Sequence, residues 1–196
     1  MKNNYSPKEI NIFNGVLALA RAGEDITKIT SQQIATAAGV GKATIYDYFA
    51  SKEEIVHGAL IYTMEQQARR FKQEMDATAD FHMRMMIVYN GIIDSVQDTG
   101  SAFQLLLQTM GRQRLSPQLQ EKVVDFMAIL GDVLAKGHAQ GIIGMDVTAQ
   151  EHQSYVCTVI VSNVFATVSR AKNRLNPLDR QKIADNSYMM LTKALA

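Results

Sequence analysis

A series of helix-start signals along the 196 residues narrows the folds open to this chain. Each signal begins with Ser, Thr or Asn and continues with proline at the first helical position or with Glu or Gln at the third. The side-chain oxygen of the first residue accepts a hydrogen bond from an unpaired backbone N–H, which favours a helix starting there. Apolar residues at helical spacing follow each signal. The signals begin at Ser6, Thr30, Ser51, Ser101, Ser116, Thr148 and Asn176.

The whole pattern predicts an all-α fold. Gly and Pro together make up only 15 of 196 residues, well below the average share of about 12%. Residues 155–168 are rich in β-branched side chains, but the run is longer than an ordinary strand and favours a buried helix. About nine helices are predicted, at 7–22, 31–38, 42–48, 52–75, 78–97, 101–111, 117–139, 149–172 and 177–195.

Short helices give way to long ones near Ser51, so we expect two domains, residues 1–50 and 51–196. The net charge of +1 excludes a histone-like basic protein, and the single Cys157 excludes a disulfide framework. Residues 1–20 contain no secretory signal, and the longest uncharged stretch, Gln153–Ser169, is too polar and short to span a membrane. We therefore expect a cytoplasmic protein with no membrane partner.

The segment from Thr30 to Lys52 has the pattern of a helix-turn-helix. Gly39 is suited to the left-handed backbone of a tight turn between two short helices, and Ala35 is small enough to let them cross closely. Three apolar side chains, Ile34, Val40 and Ile45, are placed to fill the space between them. The second helix of such a motif lies in the DNA major groove.

Exposed residue types in this segment fit DNA. Lys42 begins the second helix, where the helix dipole already favours a phosphate. Hydroxyl groups follow on Thr44, Tyr46 and Tyr48, and Ser31 opens the first helix with a group that binds backbone phosphate.

Residues 39–49 and 51–55 resemble the recognition helix and the start of the fourth helix of TetR-type transcriptional regulators. Upstream residues from Ile10 to Gly39 are similar to the first two helices of that family. The resemblance implies a three-helix DNA-binding head on a larger helical domain for ligand binding and dimerisation. It implies that these residues bind double-stranded DNA: Thr30, Ser31, Gln32, Lys42, Ala43, Thr44, Tyr46, Asp47, Tyr48 and Lys52.

Two positions depart from the family pattern. Gly41 replaces the usual serine cap, at a cost of a few tenths of a kcal/mol, and Ala43 stands where glycine is frequent. Asp47 is acidic on the DNA-facing helix, where it either accepts from a cytosine amine or faces solvent. Residues 1–52 carry six Lys or Arg and four Asp or Glu, so we expect two heads on a homodimer to supply enough affinity.

The resemblance implies a small-molecule site in the larger domain and a dimer interface on the last two helices. Methionine and phenylalanine side chains there suit a mostly apolar ligand, although core packing is an alternative for each residue. The predicted ligand-binding residues are Met83, Met86, Asn90, Phe103, Met110, Phe126, Met127, Tyr155 and Asn163. The predicted interface residues are Val156, Val159, Ser162, Ala166, Ser169, Ala184, Tyr188 and Leu191.

The expected function is a ligand-responsive repressor that binds a palindromic operator as a dimer and is released when its ligand displaces the fourth helix. A transcriptional activator, a ligand-independent DNA-binding protein and a helical-bundle enzyme remain as alternatives. We expect no enzyme activity, cofactor or metal. Glu54 and His57 form half of a di-iron motif, but no second Glu-x-x-His exists and Glu54 is explained by its capping box.

Overall fold

The computed structural model confirms the all-α prediction. Every regular element in the part of the chain that it describes is an α-helix. None of these helices is long and apolar enough to cross a membrane. The described residues are 5–98, 104–105, 116–147, 150–171 and 174–196.

Helix bounds follow the predicted ones closely. The helix predicted at 101–111 lies largely outside the described residues, of which Gln104 and Leu105 are helical. The β-branched run at 155–168 is helical, as predicted. The described helices are α1 (Pro7–Arg21), α2 (Ser31–Ala38), α3 (Lys42–Tyr48), α4 (Lys52–Asp76), α5 (Phe81–Gln97), α6 (Pro117–Ala139), α7 (Gln150–Val168) and α8 (Pro177–Ala194).

The predicted caps are formed at the helix starts that the structure describes. Ser6 Oγ accepts from the Glu9 N–H at 3.3 Å, and Glu9 accepts from the Ser6 N–H at 2.8 Å. Thr30 makes the same reciprocal pair with Gln33. Single caps from Ser116 and Asn176 start α6 and α8. The signals at Ser101 and Thr148 lie outside the described residues.

The cap of α4 and the first residue of α5 differ from the sequence prediction. The Glu54 N–H donates to Ser51 Oγ at 3.1 Å, but the Glu54 carboxylate accepts from the Ala50 N–H, one residue earlier than expected. Helix α5 begins at Phe81 rather than at residue 78. Asp80 Oδ1 accepts from the Met83 N–H at 2.8 Å, so the aspartate caps this helix.

By compactness the chain divides into two units, each assembled from separate stretches. Unit 1 comprises residues 1–67 and 98–119, and unit 2 comprises residues 68–97 and 120–196. The predicted domain boundary at residue 51 remains a prediction, because a division by compactness does not test which segments function independently.

Unit 1 has its core around Phe13, whose ring is fully buried. The rings of Tyr5, Phe49 and Tyr62 surround it at centroid distances of 5.0, 5.5 and 5.7 Å. A Cβ added at Gly58 would lie only 2.7 Å from this ring, so the glycine lets α4 approach α1 closely. This packing holds the start of α4 beside the first three helices.

Unit 2 is built on α5, which packs against α7 and α8. Its sequence predicts burial nearly all round, and most of its apolar residues are buried, although Met83 is 54% exposed. Glycines again allow close contact, since Gly91 faces the Phe71 ring and Gly137 faces the Phe81 ring. The core includes Met75, Phe81, Met85, Met86, Tyr89, Ile93, Leu134, Val156, Ile160, Val164, Ala184 and Leu191.

Candidate DNA-binding surface

A tight turn joins α2 to α3. Gly39 ends α2 with a φ of 64°, a left-handed backbone that glycine adopts without strain. The Val40 N–H donates to the Ala35 carbonyl at 3.0 Å, and the Gly39 N–H donates to the Thr36 carbonyl at 3.2 Å. This double hydrogen bond is a Schellman motif, which closes a helix and sets the direction of the chain that follows.

Buried side chains fix the orientation of the two helices. Ile34, Ala35 and Ile45 are each fully buried. A Cβ added at Gly15 of α1 would lie 3.0 Å from Ala38 Cβ, so α1 packs tightly on the end of α2. Because Ile45 anchors one side of α3, its other side faces solvent.

The solvent face of α3 carries most of the predicted DNA-binding residues. Tyr46 is 52% exposed and Tyr48 is 42% exposed. Lys42, Ala43 and Asp47 are also exposed. Thr44 is half-buried. The helix has no side-chain cap at Gly41, as the sequence predicts.

The start of α2 lies beside this face. The Tyr46 hydroxyl donates to Ser31 Oγ at 3.2 Å, which brings the two predicted sets of DNA-binding residues together. Thr30 and Gln32 are exposed. Lys42 and Asp47 are the only charged residues between positions 31 and 48, so this surface offers hydroxyl and aromatic groups more than charge.

Lys52 is held by the protein itself. Its ammonium donates to the Thr27 carbonyl at 3.0 Å and lies 3.7 Å from the Glu53 carboxylate. The predicted phosphate contact would therefore use the remaining N–H groups of a lysine that already ties the start of α4 to the α1–α2 loop.

Sequence reasoning missed the part played by Asp25 in that loop. The Thr27 hydroxyl donates to Asp25 Oδ1 at 2.6 Å, and the Lys28 ammonium lies 3.1 Å from Asp25 Oδ2. These contacts, led by the Thr27 hydroxyl, lower the pKa of Asp25 to about 2. The sequence pattern Asp-x-Thr, which is typical of an Asx turn, could have indicated this role of Asp25.

The predicted ligand-binding residues lie in different environments. Met86 is buried in the core of unit 2, and Phe126 is half-buried with its ring 5.8 Å from that of Phe71. Met127 packs on the same core. Phe103 and Met110 lie outside the described residues, as does the side chain of Tyr155.

Both predicted asparagines have partners inside unit 2. Asn90 donates to the Met86 carbonyl at 2.9 Å and accepts from Arg180 at 3.3 Å. Asn163 donates to Ser187 Oγ at 3.1 Å. These bonds support the packing alternative for both amides, and their role in ligand binding stays a prediction.

The predicted interface residues divide into two groups. Val159, Ser162 and Ala166 lie exposed on α7, and Ser169 lies exposed just after its end. The other four are covered by the chain's own core to different extents. Tyr188 is half-buried, and the buried residues are Val156, Ala184 and Leu191.

His57 has a structural partner. Its Nε2 hydrogen-bonds with Ser116 Oγ, the hydroxyl that caps α6. Burial lowers the pKa of His57 below its ordinary value of 6.5. In the part of the chain that is described, no three His, Cys, Asp or Glu side chains lie together as metal ligands do.

Comparison with known proteins supports the helix-turn-helix assignment. Residues 23–59 match the family of bacterial regulatory proteins, tetR family, which confirms the resemblance predicted from the sequence. A search of curated proteins finds no match.

Solved structures share the fold over nearly the whole chain. The transcriptional regulator FadR from Bacillus subtilis, solved with stearoyl-CoA, has a TM-score of 0.72 at 19% identity, covering 95% of this chain and 99% of its own. AibR, solved with isovaleryl coenzyme A and operator DNA, has a TM-score of 0.69 at 16% identity, with 94% and 98% covered. The superantigen PfiT has a TM-score of 0.74 at 15% identity, with 94% and 96% covered. At these identities the likeness establishes the fold alone.

Proposed function

We propose that this chain, whose residues 23–59 carry the tetR-family match, is a cytoplasmic transcriptional repressor that binds a palindromic operator as a homodimer. The observation that carries this proposal is the solvent face of α3. It presents Tyr46, Tyr48 and Lys42 to solvent, while Ile45 and the Gly39 turn hold the helix in a helix-turn-helix. No enzymatic step is part of the proposal.

Each group on this surface has a proposed role on DNA. α3 enters the major groove, where Tyr46, Thr44 and Asp47 contact base edges. The start of α2, with half-buried Ser31 and exposed Gln32, binds backbone phosphate and sets the register. Ser31 accepts from the Tyr46 hydroxyl, so a phosphate bound at α2 and a base contact at α3 would be coupled.

Low positive charge is the argument for a dimer. Phosphate neutralisation supplies much of the affinity of a DNA-binding protein, and residues 31–48 carry a single lysine. Two heads about 34–36 Å apart would contact successive major grooves and double the number of contacts. The exposed residues Val159, Ser162 and Ala166 of α7, with Ser169 just after its end, are proposed as the contact between copies.

The proposed effector is an acyl-CoA. The core of unit 2 includes Met75, Met85, Met86 and Phe81, and two proteins of the same fold, FadR and AibR, were solved with stearoyl-CoA and isovaleryl coenzyme A. Helix α4 runs without interruption from Lys52 to Asp76, so it can carry a displacement to the head. A tenfold loss of operator affinity requires about 1.4 kcal/mol of coupling.

Selection of bound DNA from a random-sequence pool tests the DNA-binding part. At fixed physiological salt, the wild-type protein is expected to enrich a palindrome whose half-sites are one helical turn apart. The double variant Lys42→Ala/Tyr46→Ala is expected to lose this enrichment. Lys193→Ala, which removes an exposed lysine of α8, is the matched control and should enrich the same sequence.

Failure of the folded wild-type protein to enrich any sequence would contradict the proposal. Equal enrichment by the double variant would contradict the assignment of α3 as the reading helix. For the effector part, stearoyl-CoA or isovaleryl-CoA is expected to lower affinity for the selected operator at least tenfold.

A further inference from the structure

Tyr89 in the middle of α5 places a polar group in an apolar core. Its side chain is only 1% exposed, and it is among the largest fully buried side chains of the described chain. Its hydroxyl has no hydrogen-bond partner among the described residues. Buried hydroxyl groups nearly always have a partner, so this one requires an explanation.

Packing does not explain the hydroxyl. The cluster that contains Tyr89 consists of apolar side chains such as Met85, Ile93 and Ile160. A phenylalanine would fill nearly the same volume there and would avoid burying an unpaired polar group. The oxygen therefore adds nothing to the core that the ring does not already supply.

The hydroxyl is suited to donating a hydrogen bond to a neutral acceptor. Burial, with a smaller effect from Tyr188, raises the pKa of Tyr89 above its ordinary value of 10, so the group stays protonated at neutral pH. A charged carboxylate would be expensive to bring into such apolar surroundings, whereas a neutral carbonyl oxygen is not. Met75, Met85 and Met86 belong to the same cluster, and methionine side chains adjust easily to a guest.

We propose that the Tyr89 hydroxyl is the polar anchor of the effector site and donates a hydrogen bond to the acyl carbonyl of the bound effector. The acyl chain lies among the methionine side chains of unit 2. This inference rests on the proposed function, and it adds the residue that selects an acyl group over an alkyl group of the same length.

A pair of probes isolates the carbonyl. Octanoyl-CoA carries it, and S-octyl-CoA replaces it with a methylene. By calorimetry on the full chain, the wild-type protein is expected to bind octanoyl-CoA on the order of tenfold more tightly. Tyr89→Phe is expected to bind both probes alike, with unchanged affinity for S-octyl-CoA. Tyr62→Phe, the same atomic change at a half-buried tyrosine of unit 1, should keep the wild-type preference.

Thermal unfolding without ligand separates an effector anchor from a structural group. If the hydroxyl bonds to a buried water that stabilises the fold, Tyr89→Phe lowers the Tm of the free protein and the proposal is overturned. The proposal expects an unchanged or higher Tm, since the variant removes an unpaired polar group.

Three binding results would overturn the anchor: a preference for octanoyl-CoA retained by Tyr89→Phe, no preference in the wild type, or no binding of either probe. Operator binding is measured on the same preparations. A protein that binds its operator but ignores both probes would refute the anchor and the acyl-CoA effector while leaving DNA binding intact. A protein that binds octanoyl-CoA through Tyr89 but enriches no DNA would refute only the proposed role as a DNA-binding regulator.

Discussion

At the scale of single residues, Gly41 is the weak point of the predicted reading helix. Its φ of −69° and ψ of 149° are those of an N-cap residue, but glycine has no side chain to accept a hydrogen bond. A Cβ at this position would meet only Thr44 Oγ1 at 3.7 Å, an ordinary contact. The backbone of α3 is therefore ready for a side-chain cap that the sequence does not provide.

We predict that Gly41→Ser stabilises the protein by a few tenths of a kcal/mol. The serine Oγ would accept from an unpaired N–H in the first turn of α3. Gly41→Ala adds a Cβ without an acceptor and is expected to be less stable than Gly41→Ser by about 1 kcal/mol. Urea unfolding measures both, and an alanine variant as stable as the serine variant would show that capping is not limiting.

A second prediction concerns the titration of His57. Its pKa is lowered by burial, so between the folded pKa and 6.5 the unfolded chain binds more protons than the folded one. Stability is therefore expected to fall as the pH drops through this window, and His57→Gln should reduce the dependence. Titration of the imidazole by NMR checks the cause, and a midpoint at or above 6.5 would contradict it.

At the scale of helices, close packing depends on glycines that face phenylalanine rings. Gly58 faces Phe13, which is fully buried within a group of aromatic rings. Gly91 faces Phe71, which is only half-buried and is therefore freer to move. The two contacts are alike in geometry, but they differ in whether the phenylalanine ring is able to move.

We predict that Gly58→Ala destabilises the protein by about 1–3 kcal/mol, because the added methyl group overlaps a ring that is fixed on all sides. Gly91→Ala should cost clearly less, since Phe71 can rotate outward, whereas the gain of about 1 kcal/mol in helix propensity is common to both substitutions. The free energies of unfolding in urea give the comparison. Equal costs would mean that ring mobility does not govern these contacts.

The helix bounds could be predicted because capping is local. Ser6 and Glu9 are three residues apart, and their hydrogen bonds can be read from the pattern alone. Contacts between distant positions could not be predicted in this way. The bond between His57 and Ser116 joins residues 59 positions apart, and no local pattern specifies it.

The same limit applies to the predicted sites. The sequence indicates that Tyr46 and Ser31 belong to one DNA-binding segment, but their mutual hydrogen bond appears only in the folded chain. Ala184 and Leu191 fit an interface pattern by spacing, yet the chain's own core covers them. An apolar stripe on a helix does not specify whether its partner is the same chain or another copy.

At the scale of the whole molecule, the proposed dimer gives the head enough contacts for DNA. We predict that Ala166→Arg, a charge placed on the exposed face of α7, converts the protein to a monomer. The monomer should stay folded, because residue 166 is exposed, and should bind the operator at least tenfold more weakly. Sedimentation analysis and operator titration measure the two effects.

The control for that prediction is Ala128→Arg, the same change at an exposed position of α6. It is expected to leave the oligomeric state and operator affinity as they are in the wild type. A dimer that survives Ala166→Arg, or a wild-type protein that is monomeric at micromolar concentration, would contradict the proposed interface.

The division of unit 1 into residues 1–67 and 98–119 affects how the chain matures during translation. Leu105 and Leu119 belong to the same core as Phe13, with exposures of 1% and 3%. A ribosome delivers the chain from its N-terminus, so this core is incomplete until Leu119 has left the exit tunnel. The first 67 residues therefore leave the ribosome with apolar surface that Leu105 and Leu119 have yet to cover.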